Sequence, residues 1–338
     1  MPSSEHRNAV IGNSDNFWLH SSKANRFDLT HPSSPTAAPI TPRLNLTTST
    51  TPIAVDPNKT ALVIIDMQNF FLSEAFGRKR GPGHAACDKL EKYAIPAARN
   101  AGIQVIWLNW GLTDEDVATM PPAVKRAFGF EAVPEPEEGT VDMIRQESGA
   151  LFTGRISNGI GVDKDGSPRH QGDSVLLENG KDDRIYKGLG SDCGTITLPN
   201  GNDIQAGRLL MRDSWNAALH PPLDKIYEEG CRSSYKPDVW CHKNRMSGMW
   251  GATTPCELFL EQHGIRTLLF TGVNTDQCVS GTFTDAFSKG YDCVLLHDGC
   301  GTTSPDFAQQ CIEFNAAKTW GFVVGCEDLA IGVDEMLH

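Results

Sequence analysis

The sequence predicts an α/β fold, an open and mostly parallel sheet with helices on both faces in three layers. Three observations predict it. Short runs that are apolar on every residue read as strands buried on both faces. They alternate with segments of helical apolar spacing, and the runs turn polar at their carboxyl ends, as parallel strands do next to a site.

The first such run is Thr60-Ala61-Leu62-Val63-Ile64-Ile65, which ends at Asp66. A helix over His84 to Ala101 follows, with Leu90, Tyr93, Ala94, Ala97 and Ala98 on one face and Gly102 where a helix stop is wanted. Ile103 to Leu108 is the second strand. The rhythm resumes with a helix at Pro255–His263, a strand at Thr267–Thr271 and a helix from Cys278 to Ser288. A strand at Tyr291–Leu296, a helix at Pro305–Trp320 and a strand at Phe322–Val324 complete it. Between the two blocks, at about 113–230, Gly-Asn, Asp-Gly and Asn-Gly pairs punctuate short β-type runs, Ser174–Leu177 and Thr195–Leu198 among them. This reads as an insertion of one helix, Thr113 to Phe128, followed by hairpins and loops, inside a single domain spanning 57–338.

Residues 1–56 are rich in Ser, Thr, Pro and Asn and carry neither helical nor strand periodicity. Two readings stand: a partly disordered segment, or an extended arm laid across the surface or a neighbouring subunit, with Phe17, Trp18 and Leu19 as its anchor.

Bulk composition excludes several function classes. The chain has 338 residues and a formal net charge of -12, with the acidic residues spread along it, so a phosphate backbone would be repelled and nucleic acid is not an expected partner. No stretch reaches the roughly 20 apolar residues of a membrane span, and no apolar run of the signal-peptide kind occurs in the first 50 residues. A cytoplasmic protein with no membrane partner is expected. The ten cysteines are scattered, without C-x-x-C pairs or zinc-finger spacing, and read as reduced thiols.

Ligands of open α/β sheets bind at the carboxyl ends of strands, so the chemistry should lie there. Three places stand out: Asp66 with Met67-Gln68-Asn69 behind it, Asn109-Trp110-Gly111, and Thr271-Gly272-Val273-Asn274-Thr275-Asp276-Gln277-Cys278. Taken singly, Asp66 is as readily a cap, Cys278 a packed thiol and Lys243 a solvated lysine. Position changes this weighting, because a cysteine at a helix N-terminus beside a cation is favoured as the thiolate.

The strings TALVIIDMQNFF, HKNRMSGMWGATTPCELFLEQHGIRTLLFTGV and TGVNTDQCVSGTFTDAFSKGYDCVLLHDGC together resemble the three signature blocks of isochorismatase-like cysteine hydrolases. The resemblance covers Pro57 to Gly111 and Lys236 to about Asp328. It implies Asp66 as the base, Lys243 as the cation and Cys278 as the nucleophile. It also implies a cis peptide joining Val273 to Asn274 and an oxyanion hole made of the main-chain N–H groups of Asn274 and Cys278. Gln68, Asn109, Trp110, Met249 and Trp250 are candidates for substrate contact.

Nicotinamidases of this superfamily carry an Asp-x-His metal motif after the second strand, where this chain has Asn109-Trp110-Gly111-Leu112-Thr113-Asp114, so neither metal nor cofactor is expected. Isochorismatases proper lack the cysteine. The Ser247-Gly248 pair, Asn109-Trp110 and the Phe314-Asn315 to Phe322 block most resemble ureidoacrylate amidohydrolases and other hydrolases of ureido compounds. The expected activity is cleavage of a C–N bond in a small amide or ureido substrate through a thioester, by a homo-oligomer, a dimer or tetramer. The rivals are a non-catalytic oligomeric binding protein of the same fold and an isochorismatase-type hydrolase acting on another small metabolite.

Overall fold

The computed structural model describes residues 6–132, 160–167 and 186–338. Strands β1 (Asn8–Gly12), β2 (Phe17–Ser21), β3 (Arg26–Leu29), β4 (Leu44–Leu46) and β5 (Ile53–Val55) come first. Then follow β6 (Thr60–Ile65), β7 (Gln104–Trp110), β8 (Phe130–Ala132), β9 (Ile160–Val162), β10 (Thr195–Thr197) and β11 (Asp203–Gln205). Last are β12 (Val239–Lys243), β13 (Thr267–Val273), β14 (Asp292–Gly301) and β15 (Phe322–Val324).

The chain divides into two compact units, and the first comprises residues 1–67, 81–109 and 221–338. Its centre is a six-stranded sheet in the order β12-β7-β6-β13-β14-β15. The pairs β7–β6, β6–β13, β13–β14 and β14–β15 are parallel, as runs buried on both faces require. Every residue of β6, β7 and β13 is buried. The helical stretches Pro82–Asn100, Pro255–Gln262, Thr275–Lys289 and Asp306–Trp320 fall between strands as the alternation predicts. Three of them contain one wide π turn, at Leu90–Ala94, Thr275–Val279 and Ala316–Trp320.

Two elements of this unit were not anticipated. Strand β12 carries Lys243 at the edge of the sheet and is held by a buried carboxylate: Asp238 receives the Arg99 guanidinium at 2.6 Å and the Trp107 indole N–H at 2.9 Å. The other lies in the N-terminal region, expected to be an extended or partly disordered arm. Residues 8–55 form a second sheet in the order β1-β2-β3-β5-β4. Its strands are three to five residues long, too short to display a period in sequence. What stabilises them is non-local. The indole N–H of Trp18 donates to Asp292 at 2.7 Å, and the His31 ring nitrogen lies 2.6 Å from the other oxygen of that carboxylate. Leu44, Leu46, Ile53 and Val55 are fully buried, and Gly332 of the helix Cys326–Leu337 approaches so closely that a Cβ would lie 2.5 Å from the Asn45 carbonyl. Trp18 thus ties this region to β14 of the same chain.

The second unit comprises residues 68–80 and 110–220. It begins earlier than the expected insertion, because Gln68 to Arg80 packs with it. The single helix expected over Thr113 to Phe128 is two short ones, Asp114–Thr119 and Pro122–Ala127, since Pro121 and Pro122 interrupt the hydrogen-bond ladder. Thr113 starts the first with a capping box closed by Asp116. The hairpin at Thr195–Leu198 is present as β10 paired with β11, whereas Ser174–Leu177 lies outside the described residues. Among the described residues no helix is long and apolar enough to cross a membrane.

Candidate active site

Four consecutive strands of the central sheet, β12, β7, β6 and β13, each deliver one predicted residue at the carboxyl end: Lys243, Asn109, Asp66 and the Asn274–Cys278 segment. Asp66 follows β6 in the left-handed region, with φ 55°, a conformation aspartate tolerates better than most residues. Its N–H donates to Leu108 O at 3.2 Å, which directs the turn and leaves the carboxylate completely buried. The Lys243 ammonium lies 2.9 Å from Asp66 Oδ2, both side chains being 1% exposed or less. Lys243 also donates to the carbonyls of Arg245 and Met246, each at 3.1 Å. Three oxygens therefore surround a group with three hydrogens, which holds a buried charge that would otherwise be costly.

Cys278 lies in the π turn that opens the helix after β13, and is buried. The peptide between Val273 and Asn274 is cis, as the resemblance implied. The Asn274 carbonyl accepts from the N–H groups of Gln277 and Val279, closing the turn. Thr302, just after β14, tethers it by donating to Asp276 at 2.6 Å.

Gly272 was not singled out from sequence, yet it determines how closely β13 can approach Asp66. Its φ is +110°, and a Cβ there would collide with the Ile65 carbonyl, one residue before the carboxylate. Gly272→Ala is expected to lose about 2–4 kcal/mol of stability through overlap and backbone strain, and most of any activity through displacement of Asp66. Denaturant midpoints and turnover check this; a variant with both unchanged contradicts it.

The remaining candidates separate. Asn109 is completely buried and its two side-chain polar atoms have no hydrogen-bond partner among the described residues. An amide so placed is costly unless something else satisfies it. Gln68 and Trp110 belong to the second unit and satisfy each other there: Gln68 donates to Trp110 O at 2.8 Å and to Ala217 O at 2.6 Å, and accepts from Trp110 N at 3.1 Å. Both are buried, with the Trp110 ring edge-on to Phe128. Met249 is buried as well. Trp250 is 52% exposed; its indole donates to Asn244 and the Arg245 guanidinium lies 4.7 Å over its ring. Among the described residues, no three His, Cys, Asp or Glu side chains form a group that could hold a metal.

The isochorismatase domain profile matches residues 202–323, a span that contains Lys243 and Cys278. The ureidoacrylate amidohydrolase RutB of Rhizobium rhizogenes is 24% identical over 84% of this chain and 87% of its own length. The enzyme of the same name from an Enterobacter species is 26% identical over 83% and 92%. Among solved structures, a cysteine hydrolase from Pseudomonas syringae pv. phaseolicola superposes with a TM-score of 0.49 and 14% identity, covering 88% of this chain and all of that one.

Proposed function

The chain is isochorismatase-like and resembles ureidoacrylate amidohydrolases over most of its length, and from that premise we propose that it is a thiol-dependent amidohydrolase of small amide or ureido compounds. The observation that carries the reading is the buried Asp66–Lys243 pair at the same sheet edge as the helix start bearing Cys278. Asp66 accepts the thiol proton, Lys243 stabilises the resulting anion, and the thiolate attacks the carbonyl carbon. Negative charge on the carbonyl oxygen is met by the main-chain N–H groups of Asn274 and Cys278. The C–N bond breaks as Asp66 returns the proton to the nitrogen, so ammonia or an amine leaves and a thioester remains. Water, deprotonated by Asp66, hydrolyses the thioester to a carboxylic acid or carbamate and restores the thiol.

A ureido group offers both donors and an acceptor, which suits the unsatisfied amide of Asn109 between Lys243 and Asp66 in strand order. The test is an ammonia-release screen across acyl ureas, carbamates, ureas and small primary amides. Turnover of an acyl urea or carbamate by the wild-type protein is the expected result. A flat response over the whole panel from protein with intact thiols would overturn the reading and favour a binding protein of the same fold.

A further inference from the structure

Thr282 lies one helical turn beyond Cys278 and is completely buried. Its hydroxyl donates to the Cys278 carbonyl at 2.7 Å and accepts from the Gly248 N–H at 3.1 Å. The first bond alone is ordinary, since helical threonines commonly bond back to the carbonyl four residues earlier. The second is not. Gly248 belongs to the loop that follows β12, whose Arg245 and Met246 carbonyls hold the Lys243 ammonium. A Cβ at 248 would run into the Leu108 side chain, so the loop main chain lies pressed against β7. One hydroxyl therefore joins the main chain of the nucleophile to the loop that fixes its cation.

We propose that Thr282 is a positioning residue that sets the separation between the Cys278 thiol and the Lys243 ammonium, an inference that rests on the nucleophile reading above. Thiolate stabilisation by a cation depends steeply on distance in a buried site, where little solvent screens it. A hydroxyl that bridges both segments fixes that distance. Without it the Gly248 N–H is left buried and unsatisfied, and the loop moves to find water or another acceptor. Thr282 is completely buried and its hydroxyl is engaged by two main-chain groups, so its loss should appear in kcat and in thiol reactivity, with KM nearly unchanged.

The test is the pH profile of iodoacetamide alkylation at Cys278, read by peptide mass spectrometry on the full-length protein, for wild type, Thr282→Val and Thr282→Ser. Valine keeps the shape and removes both hydrogen bonds; serine keeps the hydroxyl. For Thr282→Val the profile should move to higher pH, with alkylation at pH 6.5 slowed about tenfold, because reactivity follows thiolate fraction. Misplacement of the same groups should lower kcat about ten- to a hundredfold. Thr282→Ser should remain within about threefold of wild type in both measurements. A Thr282→Val protein with the wild-type profile overturns the proposal, as does a Thr282→Ser protein as slow as the valine variant. Should valine prevent folding, the serine arm still decides: a rate within about threefold supports the role of the hydroxyl, and a tenfold loss overturns it. If Cys278 of the wild type is not the preferentially alkylated thiol, the nucleophile reading itself fails; if it is, and Thr282→Val changes nothing, only the positioning role fails.

Discussion

Lys243→Met is expected to lower turnover about a hundredfold or more and to remove about 3–5 kcal/mol of stability. Methionine preserves the length of the side chain but leaves the Asp66 carboxylate, which is completely buried, without its cation, and leaves the Arg245 and Met246 carbonyls without their donor. An uncompensated buried charge is the costly outcome, whatever the intact pair contributes on balance. Alkylation of Cys278 should move to higher pH in the same variant, because the group that stabilises the thiolate has gone. The measurements are a denaturant titration, a turnover assay and the alkylation profile. An unchanged result in all three would make Lys243 a bystander. Lys236 is a poor substitute in any case: its ammonium donates to Gly102 O at 2.6 Å, at the amino end of β7 and so away from Asp66.

Cys278→Ala should abolish turnover, by about four orders of magnitude or more, while shifting the thermal midpoint by only a few degrees. The asymmetry follows from the size of the change. One sulfur atom is lost from a buried position, a small cavity in a well-packed region, yet in the proposed mechanism that sulfur is the atom that receives the acyl group. A variant that keeps a substantial fraction of wild-type turnover would mean that another group performs the attack.

Much of this was legible in the sequence, for a physical reason. The buried runs Ala61–Ile65, Val105–Leu108, Leu268–Phe270, Cys293–Leu296 and Phe322–Val324 are apolar at every position, because both faces of the sheet are covered there, so each run is visible without knowing its neighbours. Asp66 and Cys278 are visible because polar or reactive residues end such runs. Lys243 was legible only through resemblance to a family: β12 is a short edge strand, Val-Trp-Cys-His-Lys, whose mixed polarity signals nothing on its own. The N-terminal sheet was hidden because contacts such as Trp18 with Asp292 connect residues 274 apart. Gln68 and Trp110 were singled out because they follow strand ends; that the side chain of Gln68 satisfies the main chain of Trp110 depends on a contact no local pattern encodes. The role of Gly272 depends on a collision between two strands, which no local pattern encodes.

The most direct test of the site is competitive labelling of all ten cysteines with limiting iodoacetamide at pH 6.5, read peptide by peptide alongside residual activity. At that pH labelling selects for thiols already present as thiolate. Burial pushes the Cys193 thiol up to about 12 and raises Cys256, Cys293, Cys300 and Cys326 as well, Cys256 chiefly through its contact with Cys241, which is itself lowered. Cys278 should be modified first, with loss of activity tracking its modification one for one. Activity that disappears while Cys278 remains unmodified, or that survives its complete modification, would contradict the account.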